Sequence, residues 1–327
     1  MGSGRPCPGI RRPVHAGSWY EDDPECLRAD LHRMLGAEYA EGATADPGLR
    51  AVISPHAGLR FSGSVAAGVF ARLDVSNVKR VFLLGPSHHE PIAGCALPAE
   101  EVLAYRTPLG DLPLDQGTLA ELRQTQEFSH LPMDVDEAEH SLEMQLPFLA
   151  ELLLNSPKRR HMPPATIVPI LVGQTSARSE ARFGQLLAPF LDQAGTLFVI
   201  SSDFCHWGAQ FGYTRVGSPS LAKTYRDGPH PDNARIEGLD REGMELIQRQ
   251  DAGAFRAYLK REGNTICGRH PILVLLEMLS ARTSRAEMGV DFVKYAQSSA
   301  MPGMPPPRSA SVSYACAVCR PMLVGGG

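Results

Sequence analysis

The chain has 327 residues, of which 43% are hydrophobic and 21% charged, and this composition excludes wholesale disorder. Its 32 lysines and arginines against 36 aspartates and glutamates give a formal net charge of −4. That balance argues against a protein built mainly to grip nucleic acid or anionic membranes. The seven cysteines are an odd number, so disulfides cannot use them all, and we expect a protein with reduced cysteines.

No targeting or membrane segment is predicted. The first residues are followed by no apolar core of the kind that a secretory signal needs. The longest apolar stretches, 165–173 and 272–276, are far too short to span a bilayer. We therefore expect no membrane insertion, no nucleic-acid partner, and a location in the cytoplasm or also in the nucleus.

Short apolar runs alternate with amphipathic runs along the chain. The first helix is predicted to begin at Pro24, after Asp22 and Asp23, with leucines at helical spacing beyond it. The remaining predicted elements, in chain order, are a strand at 51–53, a helix at 65–70, a strand at 81–84, a helix at 142–153, a strand at 166–172, a helix at 183–190, a strand at 197–200, helices at 244–247 and 272–279, and strands at 290–295 and 312–318.

This alternation predicts an α/β fold with a largely parallel sheet and helices on both of its faces. Pro169 interrupts the strand at 166–172, which predicts an edge position or a bulge for that strand. We find no internal repeat and no shift of composition between segments. A single domain over 1–327 is therefore expected, with flexible ends at 1–13 and 320–327.

Histidines follow three of the predicted strands within a few residues. His56 comes after the strand at 51–53, His88 after the strand at 81–84, and His206 after the strand at 197–200. Because the carboxyl ends of parallel strands meet at one edge of a sheet, where open α/β folds place their sites, we expect these imidazoles to lie together. Neutral imidazoles suit a borderline transition metal, although a single histidine can equally be a structural residue that hydrogen-bonds the backbone.

Other chemistries find little support in the sequence. Phosphate-loop, dinucleotide-binding, nucleophile-elbow and HExxH zinc motifs do not occur. Cys316 and Cys319 form a CxxC pair, but it lies in an apolar, strand-like run and has no second pair beside it. In a strand, residues three apart point to opposite faces, so a dithiol or zinc-knuckle role is disfavoured.

Eight segments together carry a family resemblance. They are HAGSWY (15–20), PHAG (55–58), LGPSHH (84–89), YRTPLG (105–110), EHSLEM (139–144), SSDFCHWG (201–208), NTICGRHP (264–271) and YAQSS (295–299). In this order they resemble the Memo family, named for mediator of ErbB-driven cell motility. The resemblance runs from about His15 to Tyr314, nearly the whole chain. Several of the segments are long and rare, whereas a short piece such as PHAG alone would be weak.

The resemblance implies a three-layer α/β/α sandwich with a mixed, largely parallel sheet, similar to the catalytic subunit of class III extradiol dioxygenases. In those enzymes two histidines and a glutamate hold Fe(II), and the matching positions here are His56, His88 and Cys267. His206 matches a histidine that acts as acid–base in ring cleavage. The implied cofactor is a copper or iron ion, Cu(I) or Fe(II), with zinc also open. A thiolate in place of the carboxylate makes the site softer, so standard ring cleavage becomes doubtful.

Further residues of these segments are candidates for the same pocket. Asp203, three residues before His206, is expected either to orient that imidazole or to cap the following turn. Trp19 is expected to supply an aromatic wall or to pack in the core. His15 and His140 are expected near the pocket, with His140 at its rim or, alternatively, as a structural histidine at a helix start.

Two functions follow from the resemblance. The first is a metal-dependent redox protein linked to growth-factor receptor signalling and cell motility. The second is a non-catalytic adaptor that binds a phosphotyrosine-bearing receptor tail, or another signalling adaptor, in the same pocket, with the imidazoles and Arg269 as phosphate partners. Gln145 stands where the animal proteins usually have a histidine, and Leu59 where a tyrosine is common. The pocket rim therefore differs from the animal pattern, whereas the metal set is intact.

Overall fold

The computed structural model describes residues 9–214, 231–284, 286–298 and 310–322. Its strands are β1 (Ile10–Arg11), β2 (Ala51–Ser54), β3 (Arg80–Pro86), β4 (Cys95–Pro98), β5 (Ala104–Thr107), β6 (Gly110–Pro113), β7 (Phe128–Leu131), β8 (Thr166–Val172), β9 (Thr196–Ser201), β10 (His206–Gly208), β11 (Met288–Gln297) and β12 (Ala310–Pro321). Its α-helices are α1 (Pro24–Ala40), α2 (Leu59–Phe70), α3 (Gln116–Gln124), α4 (Met133–Ala138), α5 (His140–Glu143), α6 (Leu146–Ala150), α7 (Ala177–Leu191), α8 (Pro231–Gln248), α9 (Ala252–Glu262) and α10 (Arg269–Ala281).

Nine of the described strands form one mixed sheet in the order β10–β12–β2–β9–β3–β8–β4–β7, with β11 also paired to β12. The central strands β2, β9, β3 and β8 are parallel, whereas β12 runs antiparallel to β2 and β4 antiparallel to β8. β1, β5 and β6 make a separate small sheet. The central strands are almost wholly buried, which explains why their sequences are continuous apolar runs and do not alternate.

Helices cover both faces of the large sheet, and the two cysteines of the CxxC pair mark these faces. A Cβ on Gly68 of α2 would lie 3.0 Å from Cys316 Sγ, so α2 covers the face to which Cys316 points. Arg282, directly after α10, acts electrostatically on the Cys319 thiol on the opposite face. Both thiols are free, as expected for residues three apart in a strand. The predicted α/β/α sandwich with a mixed, largely parallel sheet is confirmed.

Pro169 lies inside an unbroken β8 and pairs in register with Leu83 of β3. The Thr166 N–H donates to Lys79 O on the β3 side, and Ile167 O accepts from Asp115 N on the other side. Successive residues of a parallel strand direct their backbone N–H and C=O groups to opposite neighbouring strands. The backbone nitrogen of Pro169 is therefore on the side away from β3. There β4 pairs with only the last two residues of β8, and the missing N–H of proline costs no ladder hydrogen bond.

The structure describes part of each chain end. Ile10–Arg11 forms β1, and Arg11 is fully buried and ion-paired with Glu143 and Asp136, which holds this segment against α4 and α5. At the other end, β12 continues to Pro321 in register with β11. Within the described residues, no helix is long and apolar enough to cross a membrane.

Helices α7 and α10 cross at Gly184, and this contact generates a stability prediction. A Cβ at Gly184 would lie 2.6–2.9 Å from atoms of Glu277 and Met278, two of them backbone atoms that cannot swing away. Gly184→Ala is therefore expected to lower the free energy of unfolding by about 1–3 kcal/mol, measured by urea denaturation. Gly36→Ala at an exposed position of α1, where a Cβ meets nothing within 4 Å, is the matched control and is expected to add about 0.4–1 kcal/mol. Equal effects of the two substitutions would contradict the tight crossing.

Candidate metal centre

The candidate site lies at the edge where the central parallel strands end. Ser54 of β2 and Ser201 of β9 are register partners there, and β3 ends beside β9. The helix α5 packs directly against the end of β3, because Gly85 has no side chain. A Cβ at Gly85 would lie 2.6 Å from Ser141 Oγ, so any larger residue would push α5 away from the strand.

His56, two residues beyond β2, is buried, and its tautomer follows from its hydrogen bonds. The Ser201 hydroxyl donates to Ser141 O at 2.7 Å and accepts from Gln145 Nε2 at 3.0 Å. Ser201 Oγ can therefore only accept at its 2.8 Å contact with His56 Nδ1, which must carry the proton. His56 Nε2 is left with its lone pair, 3.1 Å from Cys267 Sγ.

His88, two residues beyond β3, is held by the carboxylate of Glu139. The Glu139 carboxylate accepts from the His88 backbone N–H at 2.6 Å and pairs with His88 Nδ1 at 2.9 Å. Burial raises the pKa of Glu139, but the hydrogen bond and charge of His88 prevail and lower it to about 2. A carboxylate that stays ionised requires a proton on Nδ1, so Nε2 of His88 is also free to bind a ligand.

Cys267 approaches these histidines from the loop before α10. The Asp203 backbone N–H donates to its Sγ at 3.3 Å. Burial, followed by the negative charge of Asp203, raises the pKa of the Cys267 thiol well above its ordinary value. The approach depends on Gly268, where a Cβ would lie 2.4–2.5 Å from atoms of Ser201 and Ser202. A thiol so placed ionises readily only when a cation binds beside it.

The ligand atoms of His56, His88 and Cys267 all lie within 4.8 Å of one another, which is a separation that a single metal ion can bridge. Two imidazole nitrogens with free lone pairs and one sulfur form a donor set suited to a soft or borderline transition metal. A second group of the described residues, His88, Glu139 and His140, meets the same distance limit. Its carboxylate is already occupied by hydrogen bonds from His88 and Ser141, so it supports the first group.

His206 and Asp203 lie at the same place, but their contacts differ from the prediction. The ring of His206 is oriented by carbonyl oxygens, with Nδ1 2.9 Å from Phe204 O and 3.2 Å from Thr265 O. Asp203 uses Oδ1 to accept from the backbone N–H groups of His56 and Ala57, at 2.8 and 3.3 Å. It thus fixes the turn after β2, and it acts on His206 only through its charge.

A cavity of about 710 Å³ opens over these residues. Trp19 and His140 form one wall, with ring centroids 4.5 Å apart, and His140 also stacks on His88 at 4.4 Å. Burial and the neighbouring histidines lower the pKa of His140 to about 3. Other described residues that line the cavity are Ser18, His56, Ala57, Gly58, Arg60, Phe61, Asp203, His206, Gln210, Phe211, Ser298, Ala310, Ser311, Val312 and Tyr314.

Two of the predicted ligand-binding residues do not belong to this lining. His15 lies behind Trp19, with its centroid 5.6 Å from the indole, and its Nδ1 is 2.9 Å from Glu143 Oε2. It therefore supports the wall of the cavity. Arg269 is exposed at the start of α10 and donates to Ile266 O at 3.2 Å. The arginine that does line the cavity is Arg60.

Sequence reasoning missed the residues that orient the ligands. Glu139 and Glu143 are four residues apart around α5 and hold His88 and His15, respectively. The sequence signal that could have identified them is a pair of carboxylates one helical turn apart beside a candidate histidine. No local pattern pointed to Ser201. Gln145, noted from sequence only as a difference at the pocket rim, is fully buried, and its Nε2 also donates to Pro55 O at 2.9 Å.

A buried carboxylate supports the loops that carry His206 and Cys267. Asp240 of α8 accepts from the Cys205 N–H at 3.2 Å, from Asn264 Nδ2 at 3.0 Å and from the Tyr295 hydroxyl at 2.9 Å. It is fully buried, and burial prevails over these hydrogen bonds and raises its pKa to about 6.

The Asp240 carboxyl generates a pH prediction. Its pKa is about 6 in the native protein against 3.8 for an ordinary aspartate, so the native state retains a proton that the unfolded chain releases. The stability from this proton is present below pH 4 and is lost as the pH rises to 6. We expect the free energy of unfolding of the wild type, relative to Asp240→Asn, to fall by about 2 kcal/mol over that range. Urea denaturation at several pH values measures it, and parallel curves for the two proteins would contradict it.

Comparisons with known proteins agree with the sequence resemblance. The family described as Memo-like protein matches residues 11–318. Protein MEMO1 of Danio rerio is 42% identical over 306 residues, covering 93% of this chain and 95% of that protein. A MEMO1 family protein of Schizosaccharomyces pombe is 37% identical over 326 residues, covering 94% and 98%. A crystal structure of an uncharacterised Escherichia coli K12 protein is 16% identical with a TM-score of 0.41, covering 81% of this chain and 98% of that one. The family match and the close relatives show that this chain belongs to the Memo family.

Proposed function

We propose that the protein is a metal-dependent redox protein that binds one ion through His56 Nε2, His88 Nε2 and Cys267 Sγ. The observation that carries the proposal is the convergence of one ligand atom from each of these three residues within 4.8 Å. Each imidazole is already held in the tautomer that leaves Nε2 free, which removes part of the ordering cost of binding. We expect the protein in the cytoplasm or nucleus, where thiols stay reduced.

The donor set narrows the identity of the ion. One thiolate and two imidazoles favour Cu(I), with Fe(II) and Zn(II) as competitors, because thiolate is a soft ligand. Bound copper or iron would supply one-electron chemistry, and three protein ligands leave positions open for a further ligand. Extradiol ring cleavage stays disfavoured, since Cys267 occupies the place of the carboxylate.

Residues around the ion have separable tasks. His206 lines the cavity, and the carbonyl oxygens of Phe204 and Thr265 hold its Nδ1–H. Its Nε2 is then the atom able to accept or return a proton in the cavity. Asp203 keeps the turn of His56 in place and adds a negative charge near the site. Trp19 and His140 restrict the access of water from one side.

The metal proposal predicts about one equivalent of copper, iron or zinc in protein purified without air, measured by elemental analysis. His56→Ala and Cys267→Ser are expected to lose the ion, and Glu139→Gln to bind it about 10–100-fold more weakly, because His88 loses its orienting carboxylate. His130→Ala and Cys26→Ser, at exposed positions outside the site, are the controls and should retain it. Unchanged metal content in His56→Ala and Cys267→Ser, with folding verified by circular dichroism, would refute the proposal.

The adaptor function is a second candidate, and the cavity beside several histidines favours it. A phosphotyrosine segment of a receptor tail would place its ring against Trp19 and its phosphate among the imidazoles. Arg269 is outside the cavity lining, so the phosphate partner inferred from sequence is not positioned for this role. This function, with its link to receptor signalling and motility, stays a prediction.

Calorimetry with a phosphotyrosine peptide and its unphosphorylated form tests the adaptor function. The adaptor hypothesis expects micromolar binding of the phosphorylated peptide alone. It also expects added Cu(I) or Zn(II) to weaken that binding, because the ion and the phosphate would use the same imidazoles. Equal heats from the two peptides would remove its basis without affecting the metal proposal.

A further inference from the structure

Asp240 of α8 is fully buried behind the cavity, outside its lining. Its Oδ1 atom accepts two hydrogen bonds, from the Cys205 N–H at 3.2 Å and from Asn264 Nδ2 at 3.0 Å. Cys205 directly precedes His206. Asn264 lies three residues before Cys267, in the other loop. One carboxylate oxygen therefore joins the two loops that bring His206 and Cys267 to the site.

Asp240 has no counter-charge within the parts of the chain that the structure describes. No lysine, arginine or histidine there forms an ion pair with it, and Arg241, the next residue, pairs with Glu237 instead. Burial raises the pKa of Asp240 to about 6, so at pH 7 the native protein holds a buried negative charge. An asparagine would have the same shape without that charge, and strongly perturbed groups beside a site are candidates for a functional role.

The groups that the described structure places around Asp240 are neutral. The titratable side chains on which its charge acts come from the loop after β9, from α9 and from β11, and they are Cys205, Tyr258 and Tyr295. Burial raises the pKa of all three, so each keeps its proton at physiological pH. The loop before α10 and β12 contribute the uncharged Asn264 and Ser313. A proton can therefore enter or leave Asp240 without the titration of a neighbour.

Tyr295 enables the cluster to hold a proton. Its hydroxyl donates to Asp240 Oδ2 at 2.9 Å and lies 3.2 Å from Ser313 Oγ. When Oδ2 carries a proton, it can donate to the Tyr295 oxygen while the Tyr295 hydroxyl turns to Ser313. The protonated carboxyl thus keeps its partners without a change in the fold. Oδ1 then accepts as part of a neutral group, and its hydrogen bonds to both loops lose their charge assistance.

We propose that Asp240 is a positioning residue of the metal centre, whose ionised carboxylate holds the loops of His206 and Cys267 in the arrangement that binds the ion. A proton on Asp240 loosens that arrangement and so weakens metal binding in acid. The inference rests on the proposed metal function. Charge acts in the same direction for Zn(II), which displaces one proton from Cys267 and adds one positive charge that favours an ionised carboxylate. By reciprocity, bound Zn(II) lowers the pKa of Asp240.

The test measures the Zn(II) affinity of the full chain by competition with a chromophoric chelator between about pH 5 and pH 7.5. Asp240→Asn has the shape of the protonated acid and cannot ionise. At pH 7.5 the wild type is expected to bind Zn(II) roughly tenfold more tightly than Asp240→Asn. At pH 5 the two affinities are expected to converge, because Asp240 is then protonated and protons on the ligands weaken both proteins alike. Equal affinities at pH 7.5, or a ratio that does not change with pH, would overturn the proposal.

Two further variants locate the effect. Asp291→Asn makes the same change of charge at an exposed position of β11, in a separate cavity, and is expected to bind Zn(II) as the wild type does at every pH. Tyr295→Phe removes the hydrogen bond to Asp240 Oδ2 and so raises the pKa of that carboxyl. Its affinity is expected to fall at a higher pH than that of the wild type. A pH dependence that Tyr295→Phe leaves in place would contradict the assignment to Asp240, even if Asp240→Asn does not fold.

Nuclear magnetic resonance of the metal-free protein gives a readout that needs no ion. The Cys205 amide proton is expected to titrate with a midpoint near 6 in the wild type and not in Asp240→Asn, because it donates to this carboxylate. A resonance that is insensitive to pH in the wild type would argue against the switch. Wild type that binds Zn(II) no better than Asp240→Asn refutes this inference alone. Wild type that binds no metal at any pH refutes the proposed function, and the inference with it.

Discussion

The Nδ1 atoms of the three strand-end histidines are all engaged by oxygen atoms, and the chemistry open to the site depends on this. The partners are Ser201 Oγ for His56, Glu139 for His88, and two carbonyl oxygens for His206. A neutral imidazole has one donor and one acceptor nitrogen, so these contacts leave Nε2 as the acceptor on every ring. Three lone pairs and one thiol are therefore grouped at this edge of the sheet, where Asp203 adds its charge.

The fold keeps these hydrogen bonds in place with buried charge and close backbone contacts. Arg11 is fully buried, donates to Asp136 O and Glu139 O at 2.9 Å each, and is ion-paired with Glu143. Removal of one acceptor would leave the buried guanidinium charge without a partner and without solvent, which is strongly destabilising. The acceptors around Arg11 are therefore held firmly in place. This network fixes Glu139 and the helix α5 that begins directly after it. Gly85 and Gly268 then allow α5 and the Cys267 loop to approach the strand ends.

The sequence predicted the central strands, the helical layers and the shared edge, because buried parallel strands and strand-end histidines have strong local patterns. It did not predict β4 to β7 or α3, whose short segments carry no clear periodicity. The residues that orient the metal ligands were harder still to predict from the sequence. Ser201 is 145 residues away from His56, and Glu139 is 51 residues away from His88. Only the folded chain shows which acceptor meets which ring.

The central claim is that one ion is held by two imidazoles and the thiolate of Cys267. X-ray absorption spectroscopy of the anaerobically loaded protein measures this ligation directly. We predict one sulfur neighbour at about 2.3 Å, as for metal–thiolate bonds in proteins, together with the multiple scattering typical of two imidazoles. Loss of the sulfur contribution in Cys267→Ser would complete the assignment. A shell of nitrogen and oxygen neighbours alone in the wild-type protein would contradict the account.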